Sequence, residues 1–448
     1  MFYEVLRSKE KQNELPQASV FTLRQIHTYL GDFLQQLDAK IDVRLVRTFF
    51  DVMVAILVNR NQKMSLLLSE LGGYIAGFDH APAGTKRISN LLRCKKWTHH
   101  LIDTFLFGQG CERIHELNQQ GKRALILWDD SVVEKHESWL VQGLCSVFSS
   151  KGKRLTRIKR GYYRPPVSRI NVPGYEWRAA VVSHLGGVPQ VLAMKWWTRR
   201  GKFKDSGAGN TLFRTLKQLH KTVGRLSLHV LDRGFVSVHT LELFAQFKQD
   251  LLLRWKGGVY LTHEEKGRKL THLLARSFKA KARAVVRDKE RKTTRHVSIA
   301  WAKVTRQEID NQDYTLLIIR DVTGKSSPIY LLTSLDITDA RTAWEMCFSY
   351  MHRWEIEQSF RFMKSELGLE SARLWFFENR LKLMAMVSLV YDFILRLLRC
   401  FPGVCAMLLR RFCHRTGSRY RSASIPAYRL RAALEKAILT IIFQKSPG

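Results

Sequence analysis

A five-residue apolar run, Ala124 to Trp128, ends on two consecutive acids, Asp129 and Asp130. A second run, Leu226 to Leu231, ends in the same way on Asp232. Runs this short and this apolar read as strands buried in a sheet, each delivering a carboxylate at its C-terminal end. Arg178 to Ser183 and Val188 to Trp197 are two further strands, joined by a turn at Gly186 and Gly187. Helices are expected over Thr211 to Thr222 and Val238 to Phe247, and a strand over Leu251 to Trp255. Strands followed by alternating helix and strand imply a mixed α/β sheet.

The flanks differ from this core. Residues 1–120 read as helical; Val43 to Leu68 carries a broad apolar face, and Lys86, Arg87, Arg93, Lys95 and Lys96 follow on a helix suited to DNA contact or to a solvated surface. Residues 256–335 hold a basic stretch from Arg276 to Arg295, then strand-like pieces at Val297 to Val304, Tyr314 to Arg320 and Ile329 to Leu332. A long helix is expected from Ala340 to Leu367, with Asp336 or Thr338 as its cap. The boundaries that follow are a helical N-terminal DNA-binding region at 1–120 and a core at 121–255. A β-rich insertion at 256–335, a core helix at 336–380 and a helical basic region at 381–448 complete the chain.

Charge narrows the partners. The chain holds 74 Lys and Arg against 39 Asp and Glu, a formal net charge of +35. Such an excess repels itself in a compact state, and a polyanion relieves it. Nucleic acid is the leading candidate, ahead of an anionic membrane surface, because each phosphate contact releases counterions. No membrane span is expected, since the longest apolar stretch, Leu383 to Val390, is interrupted by Ser388 and followed by Asp392. The N-terminus is charged from the start, and no signal peptide is expected. Seven dispersed cysteines without a CxxC pair read as free thiols of a reducing compartment. Cys400, Cys405, Cys413 and His414 read as part of a helical tail rather than as a zinc site.

The long helix carries Tyr350, Arg353, Glu357 and Lys364. At ~3.6 residues per turn these four share a stripe about 60° wide. Among bulky apolar neighbours, such polar groups need partners. A metal for Glu357 and phosphates for the other three meet that need, and so does an internal ion pair of Glu357 with Arg353. Carboxylates from two strands and one helix suit a pair of Mg²⁺ ions that clamp a phosphodiester.

These residues carry a resemblance. Tyr350-x2-Arg353-x3-Glu357-x6-Lys364 resembles the YREK signature of the bacterial insertion-sequence IS-four family of DDE transposases. Leu231 to Phe235 resembles that family's second-Asp motif, Leu127 to Ser131 its first-Asp motif, and Leu332 to Ser334 the strand before the YREK helix. The resemblance spans roughly residues 120–380. It implies an RNase H-like fold and a DNA transposase that cleaves at terminal inverted repeats and joins the freed 3′-OH to target DNA. It implies two Mg²⁺ ions, with Mn²⁺ as a substitute, on Asp129, Asp232 and Glu357. Asp130 is the alternative to Asp129 as the first ligand. Tyr350, Arg353 and Lys364 are implied to grip DNA. A homodimer on double-stranded DNA in a bacterial, nucleoid-associated cytoplasmic setting is implied as well. Relatives often carry a base-stacking Trp where this chain has Ile329, with Trp301 as a substitute in the insertion.

Further DNA contacts are expected from a basic and aromatic run that includes Lys153, Arg154, Arg157, Lys159 and Arg160 with Tyr162 and Tyr163. Arg254 ends a strand beside the acids, while Trp255 reads equally well as core. A catalytically dead DNA-binding relative and a metal nuclease without strand transfer are the rival readings.

Overall fold

The computed structural model describes residues 2–8, 16–60, 64–138, 140–149, 151–152, 160–164, 169–200, 207–288, 293–309, 312–324, 326–413 and 425–443. Among the described residues, six α-helices lead the chain: α1 (Phe2–Arg7), α2 (Gln17–Asp38), α3 (Val43–Val58), α4 (Leu68–Ala76), α5 (Ala81–Arg93) and α6 (His99–Gln119). α3 is buried along almost its whole length, from Val46 to Val58, because its apolar residues are too many for a single face.

Then the sheet begins. β1 (Ala124–Glu134), β2 (Cys145–Phe148), β3 (Asn171–Ser183) and β4 (Gln190–Trp197) precede α7 (Ala208–Val223), β5 (Ser227–Leu231), α8 (Val238–Gln246) and β6 (Asp250–Arg254). β3 turns into β4 through Gly186, whose φ of 79° favours glycine. β1 pairs antiparallel with β3 from Leu125↔Ser183 to Glu134↔Gly174. β5 lies parallel to β1 but pairs only as far as Leu127↔Val230.

Residues 256–335 extend the same sheet. β7 (Tyr260–His263), β8 (Gly267–Leu270), α9 (Thr271–Arg276), β9 (Ala282–Asp288), β10 (Thr293–Thr305), β11 (Asp313–Asp321) and β12 (Ile329–Thr333) follow. Among the described residues the strands form one 12-stranded sheet in the order β2-β3-β1-β5-β6-β12-β11-β10-β7-β8, with β4 on β3 and β9 on β10. β12 joins β6 through Leu331↔Arg254 and Thr333↔Leu252, so the added strands hang directly on the core.

Helices cover both faces. Leu125 and Leu127 belong to one core cluster with residues of α3, of α10 (Ala340–Met351) and α11 (Trp354–Ser365), and of α12 (Phe377–Cys400). Ala124, Ile126 and Trp128 pack on the other side with α7 and α8. α13 (Pro402–Phe412) and α14 (Ala427–Phe443) close the described chain. Arg431 of α14 is fully buried and donates to the backbone carbonyls of Ile56, Leu57, Asn59 and Glu366. One guanidinium thus satisfies the orphan carbonyls at the end of α3 and just beyond α11. Among the described residues, no helix is long and apolar enough to cross a membrane.

Three expectations are corrected. The strand expected over Ala124 to Trp128 continues to Glu134, so Asp129 and Asp130 stand within it. Its antiparallel partner β3 outlasts the parallel partner β5, and backbone bonding on that one edge sustains the strand. The single helix expected over Ala340 to Leu367 is two, separated at His352 and Arg353. There the amides of Arg353, Glu355 and Ile356 bond three residues back rather than four, a tighter turn that no Pro or Gly announces. The cap is Asp339, which accepts from the Thr342 amide at 3.0 Å; neither Asp336 nor Thr338 holds that place.

Candidate active site

Alternation along β1 separates the two acids. Leu125 and Leu127 face α10 and α11, and Asp129 continues that face; Trp128 and Asp130 point to the other. On β5, Leu228 and Val230 share the face of Leu125 and Leu127, and Asp232 continues it. Asp129 and Asp232 each lie two residues beyond the Leu127↔Val230 pair. They therefore stand level on neighbouring parallel strands, at the point where the β1–β5 pairing stops. Asp232 is extended, at φ −83° and ψ 171°, and accepts the amide of Arg233 at 2.6 Å, which fixes its carboxylate in a turn.

The helices supply the third carboxylate. Arg353, in the tight turn between α10 and α11, reaches Asp129 Oδ2 at 3.1 Å through Nη1 and bonds Glu357 Oε1 through Nη2. One guanidinium thus bridges the strand acid and the helix acid. Burial pushes the Asp129 carboxyl up to about 7; Asp232 and Glu357 add to the rise, while Arg353 and the Asp130 amide oppose it. Burial works against the Arg353 charge too, yet Tyr350, Glu357, Asp129 and Asp232 hold that guanidinium above the ordinary arginine range.

Tyr350 is buried at the edge of this cluster, and its hydroxyl is raised by burial and by Asp232. Arg254 and Arg353 flank its ring at 6.0 and 5.9 Å. Lys364, two turns beyond Glu357, is half-buried and lowered by burial, with Glu370, Glu134 and Asp129 opposing the shift. Five of the expected residues, Tyr350, Arg353, Glu357, Asp129 and Asp232, thus form one charge-coupled group, with Arg254 and Lys364 at its rim. The ion pair of Glu357 with Arg353 is present, and Asp129 completes it.

Asp130 has a different partner. Arg178 of β3, almost fully buried, forks it at 2.6 and 2.7 Å. The same guanidinium sits 4.7 Å over the ring of Phe235, three residues after Asp232. Arg178 therefore links both acid-bearing segments. Sequence reading missed it, because the 48-residue separation from Asp130 leaves no local signal.

The loop after β2 is pinned at its base by Glu134, which accepts from the hydroxyls of Ser149 and Tyr162 at 3.2 Å each and from the Lys151 amide at 3.3 Å. Arg160 is exposed on that loop. Lys153, Arg154, Arg157 and Lys159 lie outside the described residues. Trp301 is buried, with Lys281 4.7 Å over its ring, so it offers no free face for a base. Trp255 is core, its indole bonded to Thr271 at 3.0 Å. All seven cysteines are free, and His414 lies outside the described residues.

The chain thus carries an acid cluster on a mixed α/β sheet, set against a helix. Residues 178–393 match the family model of the transposase DDE domain, a span that includes Asp232, Tyr350, Arg353, Glu357 and Lys364. The match supports a DDE transposase, an enzyme class that cuts DNA and moves it. No curated protein matches the chain.

Proposed function

We propose that the chain is a DNA transposase of the insertion-sequence IS-four type, with an RNase H-like core that cleaves at terminal inverted repeats and joins the ends to target DNA. The observation that carries this reading is the level placement of Asp129 and Asp232 on parallel strands, with Glu357 joined to Asp129 through Arg353.

The donor set fits hard divalent cations. All three ligands are carboxylates, and the Asp129 carboxyl is pushed up to about 7, by burial first and then by Asp232 and Glu357. Asp129, Asp232 and Glu357 would hold two Mg²⁺ ions, or Mn²⁺ in their place, which would supply activation of the attacking oxygen and stabilisation of the leaving one. Asp130 is the less suitable first ligand, because it points to the opposite face and is taken by Arg178. Arg353 holds Asp129 and Glu357 together by charge. Tyr350, Arg254 and Lys364 lie where they grip phosphates beside the cut, and Arg160 with the neighbouring basic loop follows the DNA backbone further out. Water attacks first and frees a 3′-OH; that hydroxyl then attacks a target phosphodiester in line. Two copies act together on the two transposon ends, in the bacterial cytoplasm beside the nucleoid.

The test is strand cleavage of a labelled duplex carrying the source element's terminal repeat. Nicking at the repeat boundary is expected with Mg²⁺ and is lost in EDTA. Glu357→Gln, Asp232→Ala and Asp129→Asn are expected to bind the ends and reduce cleavage by more than about 100-fold, while Asp130→Asn still cuts. Joining of a pre-cut end to plasmid DNA separates a transposase from a plain nuclease. Binding without any cut under all conditions overturns the reading.

A further inference from the structure

The N-terminus of α6 holds a second group of metal-ligating side chains, on an element that carries none of the catalytic acids. His99 and His100 open the helix and Asp103 lies one turn on, with ligand atoms all within 4.8 Å of one another. His100 Nδ1 stands 3.6 Å from Asp103 Oδ2. Across the interface, Glu378 near the start of α12 brings Oε2 to 3.8 Å from His99 Nδ1. A tetrahedral zinc ion with bonds of ~2.0–2.1 Å spaces its ligand atoms roughly 3.3 Å apart. The His100–Asp103 and His99–Glu378 separations need only a small contraction to reach it; Glu378 stands outside the group of three and joins it by a shift of its exposed side chain.

A second observation points the same way. His99 Nδ1 is buried and has no hydrogen-bond partner among the described residues. Leaving a buried polar atom unmet is costly. Two features oppose a cation. Each helix N-terminus disfavours it, a penalty that two carboxylate ligands outweigh. Lys195 of β4 donates to Asp103 Oδ2 at 2.8 Å and competes for that oxygen.

We propose that His99, His100, Asp103 and Glu378 form a binding site for a borderline transition-metal ion such as Zn²⁺, a clasp fastening α6 to α12. Two imidazole nitrogens select against Mg²⁺ and Ca²⁺, which take oxygen donors, so the site differs in chemistry from the all-carboxylate cluster. It joins the helical N-terminal region to the first helix after the candidate catalytic ones, with β4 at its side.

The test uses the full chain carrying Asp129→Asn and Glu357→Gln, so that the catalytic acids do not bind the titrated metal. Calorimetry is expected to show one Zn²⁺ per chain, lost on His99→Gln or Asp103→Asn in proteins whose circular dichroism is unchanged. Lys195→Met removes the competitor and is expected to tighten binding about tenfold, a shift of ~1.4 kcal/mol. Co²⁺ added to the parent is expected to give the intense visible bands of a tetrahedral site, a readout that needs no variant at the clasp. A parent that takes up no Zn²⁺ at micromolar concentration, or a folded His99→Gln protein that binds it as tightly as the parent, overturns the proposal. So does a Co²⁺ spectrum identical to that of the aqueous ion. None of these outcomes depends on the transposase reading.

Discussion

Asp129 carries a burden that its neighbours only partly relieve. Its carboxyl rises from an ordinary 3.8 to about 7, mainly through burial and then through Asp232 and Glu357. A folded state that holds a proton more tightly than the unfolded chain is stabilised by it. That contribution is complete below pH ~4, fades as pH climbs towards 7, and is absent above. At ~1.4 kcal/mol per unit, the upper limit is about 4 kcal/mol. Asp129→Asn keeps the shape and discards the titration. In metal-free buffer the variant is expected to match the parent near pH 4 and to exceed its stability by about 2–4 kcal/mol at pH 8. Urea denaturation at both pH values checks this, and a difference that stays constant with pH removes the account. The sequence brought Asp129 and Asp130 to one place without separating them. Their distinction rests on which face of β1 meets α11, which is settled by packing partners far along the chain.

At the scale of elements, the apolar runs were legible and their lengths were not. Every core strand expected from the sequence is present, because a buried strand needs a continuous run of apolar or alternating residues whatever its neighbours. β1 outruns its apolar run because β3 alone supplies hydrogen bonds from Ser131 to Glu134. The break at His352 and Arg353 was hidden for a related reason. Residues on both sides favour helix, and the tight turn is held by the local bond of His352 Nδ1 with Glu355 Oε1 at 3.0 Å together with a tertiary one, Ser183 Oγ to Glu355 Oε2 at 2.7 Å. The far end of β1 depends on close backbone contact. Gly174 of β3 pairs with Glu134 on one edge and with Cys145 on the other. A Cβ there would lie 2.4 Å from the Val133 carbonyl oxygen and 2.6 Å from Val147 Cγ2. The backbone oxygen has nowhere to retreat. Gly174→Ala is therefore expected to destabilise the chain by about 1–3 kcal/mol. Because this end of β1 positions Glu134 and the basic loop, end binding is expected to weaken as well. Thermal melts and a gel-shift titration measure the two effects, and an unchanged melting temperature shows that the strands part readily enough at Gly174 to admit a methyl group.

Across the whole molecule, the charge excess of +35 was legible from composition, but the surface that presents it was not. Positive charge on a sequence does not say which side chains are already taken. Arg178, Arg353 and Arg431 are spent inside the protein, on Asp130, on Asp129 with Glu357, and on helix-end carbonyls. Of the basic residues expected on α5 and just after it, Arg87 pairs with buried Asp51 at 3.2 Å, whereas Lys86, Arg93, Lys95 and Lys96 are exposed. These four are the better candidates for phosphate contact, because a cation already paired with a carboxylate releases no net counterions when it meets DNA. Each lost phosphate contact lowers the slope of log K against log salt by ~0.9. Replacing all four by Ala is expected to flatten that slope by about 2–4 and to weaken end binding at low salt, with little change at high salt. Their exposure means that the melting temperature stays within about 2 °C of the parent, since surface changes of this kind rarely exceed ±0.5 kcal/mol each. Fluorescence anisotropy of a labelled duplex across a salt series reads the slope directly. A slope equal to the parent's places the DNA on another surface, with the β2–β3 loop that carries Arg160 the next to test.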